Sequence, residues 1–375
     1  MIYLDYAANT PVREEVLETF HKVSREFIAN PNSPHSLGRQ AKEKLDECTG
    51  QIKELLDAAG YEVVYTSGAS ESNNLAIKGA ARKNRHLGRH IITTYLEHSS
   101  VNGAMESLAG DGFEVDYVDI TKEGLVDIEH LKELLRRDTV LVSVCAVDSE
   151  IGLKQNTRQI GELLASSSNC IFHVDATQAV GKIPVNLEHV GLLSFAPHKF
   201  YGLNGSGVLL KKQNVLLEPL IHGGISTTPY RSGTPDLGMI AGTAKALELA
   251  IQDMQANHNY AEGLNAYMRE QLGRFPHVRI NSTASSVPYI LNISIPGMNT
   301  GALQAELDNQ GICLSTKSAC CAPASVSRPV YALTRDKKAA LSTLRISISH
   351  LTTREELDFF ADRFAESCDK LMKGR

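Results

Sequence analysis

From about residue 62 the chain alternates short apolar runs with segments of helical period. The apolar runs are EVVYTS (62–67), HIITTY (90–95), FEVDYVDI (113–120), TVLVSVCAV (139–147), CIFHVDA (170–176), LLSFAP (192–197) and SGVLLKK (206–212). Several are apolar without alternation, as expected of strands buried on both faces. Between most of them lie amphipathic stretches such as SNNLAIKGAARKN (72–84), DIEHLKELLRR (127–137) and TRQIGELLASS (157–167). Strands alternating with helices predict an α/β domain with a mostly parallel sheet flanked by helices.

The pattern changes after a helix predicted at 235–256. A helix, a strand PYILNISI (288–295), a helix TGALQAELDNQ (300–310), a long loop, a strand TLRISIS (343–349) and a helix (353–371) follow. They read as a smaller α+β domain. The expected division is a large domain over 13–256 and a small one built from 1–12 and 257–375. A helix at 13–27 is expected to pack near the small domain.

Composition narrows the function classes. Hydrophobic residues are 42% and charged residues 22% of 375, an ordinary globular balance. A net charge of −5 gives no electrostatic reason to expect nucleic acid or an anionic membrane as partner. No apolar run approaches the ~20 residues that span a bilayer. The opening MIYLDYAANTPV lacks the features of a secretory signal, so a cytoplasmic location is expected. The seven cysteines include no C-x-x-C pair, which speaks against a cysteine-framed metal site.

The candidate chemistry sits at the predicted strand ends, where open α/β sheets bind ligands. After the first strand, Gly68, Ala69 and Ser70 open a helix and offer an anion cradle. His98 follows the second. Asp175 and Gln178 follow the fifth, and a buried Asp needs a cationic partner. His198 and Lys199 follow the sixth, and a lysine there has the chemistry to form a Schiff base. A pyridoxal 5'-phosphate site needs an anion cradle, a Schiff-base lysine, an acidic partner for the ring nitrogen and a flat group over the ring. Ser70, Lys199, Asp175 and His98 fill those roles.

These motifs resemble the NifS/IscS-type cysteine desulfurases, fold-type I enzymes of the class V aminotransferase group that use pyridoxal phosphate. The resemblance runs nearly end to end, through YLDYAANTPV (3–12), TSGASESNNLAIKG (66–79), LEHSSV (96–101), HVDATQAVGK (173–182), PHKFYG (197–202), RSGTPD (231–236), SACC (318–321) and LRISIS (344–349). It implies that Lys199 holds the cofactor, Asp175 pairs with its ring nitrogen and Gln178 bonds its ring oxygen. His98 would stack on the ring and move protons. Ala69, Ser70 and His198 would hold the phosphate. Thr234 would reach the phosphate of a neighbouring subunit, which implies a homodimer with shared sites. Arg345 would clamp the substrate carboxylate. Cys320, in a loop at about 316–329, would take sulfur from L-cysteine as a persulfide and pass it to an acceptor such as an iron–sulfur scaffold or a thiolation enzyme. The 25 residues from Cys320 to Arg345 resemble the family's long-loop group.

Three positions depart from the family's pattern. Asp148 and Ser149 stand where paired asparagines are usual, and Ser149 occupies the position that would contact the ring oxygen and substrate carboxylate. Asp148 would repel that carboxylate if both faced the site. Ala196 replaces a serine expected to donate to the phosphate. Cys321, beside Cys320, is either a bystander or a relay for the persulfide by thiol exchange. The departures keep two alternatives in view. One is another class V enzyme, such as a C–S lyase, selenocysteine lyase or aminotransferase. The other is a non-catalytic homologue acting as a partner subunit.

Overall fold

The computed structural model describes residues 1–317 and 325–373. The chain enters through a short strand, β1 (Ile2–Tyr3), and two helices, α1 (Glu14–Glu26) and α2 (Ser36–Leu55). Strand and helix then alternate: β2 (Tyr61–Thr66), α3 (Ala69–Lys83), β3 (His90–Thr94), α4 (Ser99–Gly110), β4 (Glu114–Val118), α5 (Ile128–Leu134), β5 (Thr139–Cys145), α6 (Thr157–Ser167) and β6 (Ile171–Asp175). Strands β7 (Leu192–Phe195) and β8 (Gly207–Lys212) precede α7 (Leu237–Gln252). All seven strands expected between 62 and 212 form, in a sheet ordered β2-β8-β7-β6-β5-β3-β4. Strands β3 to β7 pair in parallel, and β8 runs against both neighbours.

Both faces of this sheet are buried, which explains the unalternated apolar runs. On β8, Leu209 joins the apolar cluster around α3 and α4, while Val208 and Leu210 join the cluster on the other face. Successive strand residues point to opposite faces, so one run feeds both cores. Helix α1 packs chiefly against α7. Arg13 anchors its start to Asp253 (Nη1 to Oδ2, 2.7 Å).

Beyond α7 come α8 (Met254–Gly273), β9 (Arg279–Ile280), β10 (Ile290–Ser294), α9 (Thr300–Asn309), β11 (Ile312–Cys313), α10 (Arg328–Thr334), α11 (Lys337–Leu341), β12 (Thr343–Ser347) and α12 (Arg354–Lys373). The helix expected at 235–256 breaks at Asp253, where α7 ends and α8 begins. Strands β12, β10 and β9 make an antiparallel sheet, and β1 pairs with β11. The N-terminal strip thereby pairs with C-terminal elements, with a further bridge from Asp5 to Ser347. The loop expected at 316–329 is shorter at its C-terminal end, because Arg328 and Pro329 begin α10. Among the described residues no helix is long and apolar enough to cross a membrane.

Candidate active site

Segments that follow β2, β3, β5, β6 and β7 converge on one cavity of about 330 Å³. Ala7, Ala8 and Arg345 complete its wall. The predicted residues Ala69, Ser70, His98, Ser149, Asp175, Gln178, His198, Lys199 and Arg345 all line it. Ala196 is fully buried at the start of the turn that carries Lys199 and does not line the cavity. Thr234 lies outside it too, beside Asn30 (3.4 Å). Cys320 and Cys321 lie outside the described residues. A wider cleft of about 920 Å³ lies apart, lined by Lys154, Arg158, His258 and Arg269, and holds none of the predicted residues.

Lys199 closes a short turn, Pro197–Lys199, directly after β7. Its amine donates to Ala7 O (2.9 Å) and Ala8 O (2.6 Å), two carbonyls of the N-terminal strip. Thr10 ties that strip to the turn: its hydroxyl donates to His198 O (2.8 Å) and accepts from Tyr201 N (2.7 Å). Burial pushes the His198 ring down to about 4, with the charges of Lys199 and Lys182 adding to it, so His198 is neutral at pH 7.

Asp175 ends β6 with its carboxylate buried. Oδ1 accepts from the Thr177 amide (3.0 Å) and hydroxyl (2.5 Å), and Oδ2 accepts from Asn73 Nδ2 (2.8 Å). Asn73 Nδ2 also donates to Ser100 Oγ (3.0 Å), which leaves the Ser100 proton for His98 Nδ1 (2.9 Å). His98 Nδ1 accepts from Ser100 N as well (3.2 Å), and so caps α4. With Nδ1 accepting, the proton of the neutral ring sits on Nε2. One asparagine thus links the acid to the histidine.

The anion cradle is the start of α3. Gly68 precedes it and offers no side chain to cap the first amides, which therefore stay open toward the cavity. Strand β8 lies close beneath: a Cβ on Gly207 would stand 2.3 Å from the Gly68 carbonyl carbon. Glu71, in the first turn of α3, also lines the cavity, with its carboxylate paired to Arg231 (Nε to Oε1, 2.9 Å) and to the Ser67 amide. Burial would raise its carboxyl, but these bonds hold it below its usual value.

Arg345 is on β12, at the edge of the three-stranded sheet, yet only 1% exposed, so it is not a surface arginine. Nη2 donates to Asp5 Oδ1 (2.7 Å) and Nη1 to the Ser149 carbonyl (2.8 Å). Nε is buried and has no partner among the described residues. Asp148 also lines the cavity, with its carboxylate oxygens bonded to backbone amides. Its oxygens accept from the amides of Glu150, Ile151 and Leu153 (2.8 to 3.0 Å), and burial pushes it up to about 6.

Sequence reasoning missed Asn73, Asp5, Lys182 and the carbonyls of Ala7 and Ala8. All five residues lie inside the motifs quoted above, but except for Lys182, whose partner Gln178 is four residues away, they act through contacts distant in the chain.

The donor set fits pyridoxal phosphate. An enclosed lysine amine, a buried carboxylate across the cavity and an uncapped helix start occur together, and an arginine lacks a partner at one buried nitrogen. The arrangement is that of an α/β enzyme built to hold this cofactor at the carboxyl edge of its sheet. Residues 2–360 match the family model described as Aminotransferase class-V, and the chain belongs to that family, whose members use pyridoxal phosphate. It is 36% identical to "Cysteine desulfurase IscS" of Dictyoglomus turgidum over 99% of this chain and 95% of that one. It is 38% identical to the protein of the same description from Photorhabdus laumondii, over 99% and 93%. Among solved structures it superposes on a "NIFS-LIKE PROTEIN" with a TM-score of 0.91 and 33% identity, covering 99% of this chain and all of that one. A structure titled "SspA in complex with cysteine" gives 0.81 and 29%, over 94% of this chain and all of that one.

Proposed function

We propose that this protein is a cysteine desulfurase, which converts L-cysteine to L-alanine and keeps the sulfur as a persulfide on Cys320. The observation that carries the reading is the convergence of Lys199, Asp175 and Arg345 on one cavity. The near full-length similarity to proteins described as cysteine desulfurases supports it.

Bound in the cavity, pyridoxal phosphate supplies an electron sink that makes the substrate's α-proton acidic. Lys199 is the amine that attaches the cofactor, and once displaced it takes the α-proton. Asp175, fixed by Thr177 and Asn73, holds the ring nitrogen in its protonated form. The open amides of α3, with Ser70 and neutral His198, take the phosphate. Arg345 receives the substrate carboxylate through donors that Asp5 leaves free. His98, with its proton on Nε2, returns a proton as alanine forms. The Cys320 thiolate attacks the substrate sulfur; the S–S bond forms as the substrate's Cβ–S bond breaks. Thiol plus cysteine gives persulfide plus alanine, so no outside oxidant is needed.

The site has the look of half an assembly. Ser67 and Ser70 are exposed at the cavity mouth, and Ile28 and Ile225 are about four-fifths exposed. A homodimer in which Thr234 completes the partner's phosphate site accounts for both. The sulfur acceptor is then a protein reached by the Cys320 segment, an iron–sulfur scaffold or a thiolation enzyme.

The test incubates the purified protein with L-cysteine and follows its visible spectrum and intact mass, with the adduct mapped by peptide. A chromophore lost in Lys199→Ala, with extra sulfur on Cys320, is expected. Sulfur release that survives Cys320→Ala would overturn the persulfide route and leave a C–S lyase.

A further inference from the structure

The loop after β6 turns helically, with Val180 N bonded to Ala176 O, and Lys182 N and Ile183 N bonded to Ala179 O. Gln178 and Lys182 are four residues apart on this turn, and side chains at that spacing meet. The Lys182 amine donates to Gln178 Oε1 (2.8 Å). At the other end of the amide, Gln178 Nε2 donates to Ala7 O (2.9 Å). Ala7 O also accepts from Lys199 (2.9 Å). A continuous chain therefore runs from Lys182 through Gln178 and Ala7 to the cofactor lysine.

A side-chain amide has one acceptor oxygen and two N–H donors, and its orientation is set by its partners. Lys182 donates, so it requires the oxygen. Ala7 O accepts, so it requires the nitrogen. The two agree, and the second N–H of Gln178 is left for the cavity that Gln178 lines. Lys182 itself does not line that cavity, so it touches no ligand there. The stem of Lys182 is half-buried and its amine enclosed. Burial pushes that amine down to about 7, and the charges of Lys199 and Arg345 push in the same direction. Hydrogen bonding is what retains it there: an enclosed ammonium is costly without partners.

We propose that Lys182 is a positioning residue for the cofactor, fixing Gln178 so that an amide N–H, and not the amide oxygen, meets the oxygen of the pyridoxal ring. The inference rests on the cofactor reading above. It adds that the donor at the ring oxygen is aimed by a lysine behind it.

The experiment measures pyridoxal phosphate affinity of the apoprotein by equilibrium dialysis, and the visible band of the reloaded protein, in a double-mutant cycle. Lys182→Met is expected to weaken binding about tenfold in the native background, the worth of an aimed hydrogen bond, and less than about twofold in a Gln178→Leu background. The band should move the same way in Lys182→Met as in Gln178→Leu, and Lys182→Arg should restore both readouts. Equal weakening in the two backgrounds, or none in either, overturns the proposal. Lys182→Thr replaces the methionine variant if that one does not fold. A native protein that binds no pyridoxal phosphate through Lys199 would instead overturn the cofactor reading.

Discussion

Asn73 offers the sharpest test of how the site is held. It is fully buried on α3 and donates to both Asp175 Oδ2 and Ser100 Oγ, while its own Oδ1 has no partner among the described residues. Replacing it with leucine keeps the volume and removes both donors. Losing a hydrogen bond to a carboxylate costs about 1.5–3 kcal/mol and one to a hydroxyl about 0.5–1.5 kcal/mol. Removing the unpaired Oδ1 returns about 1 kcal/mol or more. The balance is a loss of roughly 1–3 kcal/mol. At about 2 °C per kcal/mol for a chain of this size, the apoprotein should melt ~2–6 °C lower. Asp175 should also lose its aim, so pyridoxal phosphate affinity should fall about tenfold. Asn73→Asp is the sharper perturbation, because it puts a second carboxylate against Asp175 and should weaken the cofactor further as pH rises. Calorimetry of the apoprotein and equilibrium dialysis of the cofactor read the two effects. If Asn73→Leu melts within about 1 °C of the native protein and binds the cofactor equally well, the network does not support the site as described.

Two further outcomes follow from the same geometry. Glu97 is buried with Oε2 unpaired among the described residues, and burial pushes its carboxyl up to about 8. A raised acid binds its proton more tightly when folded, so stability is full below the unfolded value and falls as pH rises toward 8, by up to about 1.4 kcal/mol per pH unit. Glu97→Gln should flatten that fall in a melting series from pH 5 to 8; an unchanged slope would show that Glu97 is ionised in the fold. Gly207→Ala should displace the Gly68 carbonyl that lies against it. Cofactor affinity should then fall along with the melting temperature, since overpacking against backbone costs about 1–3 kcal/mol, and an unaltered cofactor affinity would show that the cradle does not depend on this approach.

The sheet was legible because its strands carry their own signals: mostly continuous apolar runs, with alternation in β4, set off by helical segments or turns. The site was legible at the strand ends, where Lys199, Asp175, His98 and Ser70 stand directly after apolar runs. What escaped lies in tertiary contacts. Nothing around Asn73 says that its amide will reach Asp175, 102 positions away. Asp5 and Arg345 are 340 positions apart, and their pairing depends on the N-terminal strip lying beside β12. The break at Asp253 was hidden because apolar residues of α7 run on without a proline or glycine to mark it.

The contacts at 148 and 149 show what each departure leaves unchanged. An aspartate in place of asparagine threatens a substrate carboxylate only if its charge faces the site. Asp148 does line the cavity, but three backbone amides occupy its oxygens, so its carboxylate is engaged in shaping the 148–153 turn. Serine at 149 lines the cavity, where its shorter side chain bears on contacts to the ring oxygen and substrate carboxylate, but it does not orient Arg345. Arg345 instead bonds the backbone carbonyl of Ser149, a contact indifferent to the residue type. Its second anchor, Asp5, comes from the strip that also supplies Ala7 O and Ala8 O to Lys199. One segment therefore sets both the arginine that would take the substrate carboxylate and the lysine that would take its α-proton. Residues 5–8 thus anchor both Arg345 and Lys199, and these anchors involve neither the Asp148 nor the Ser149 side chain.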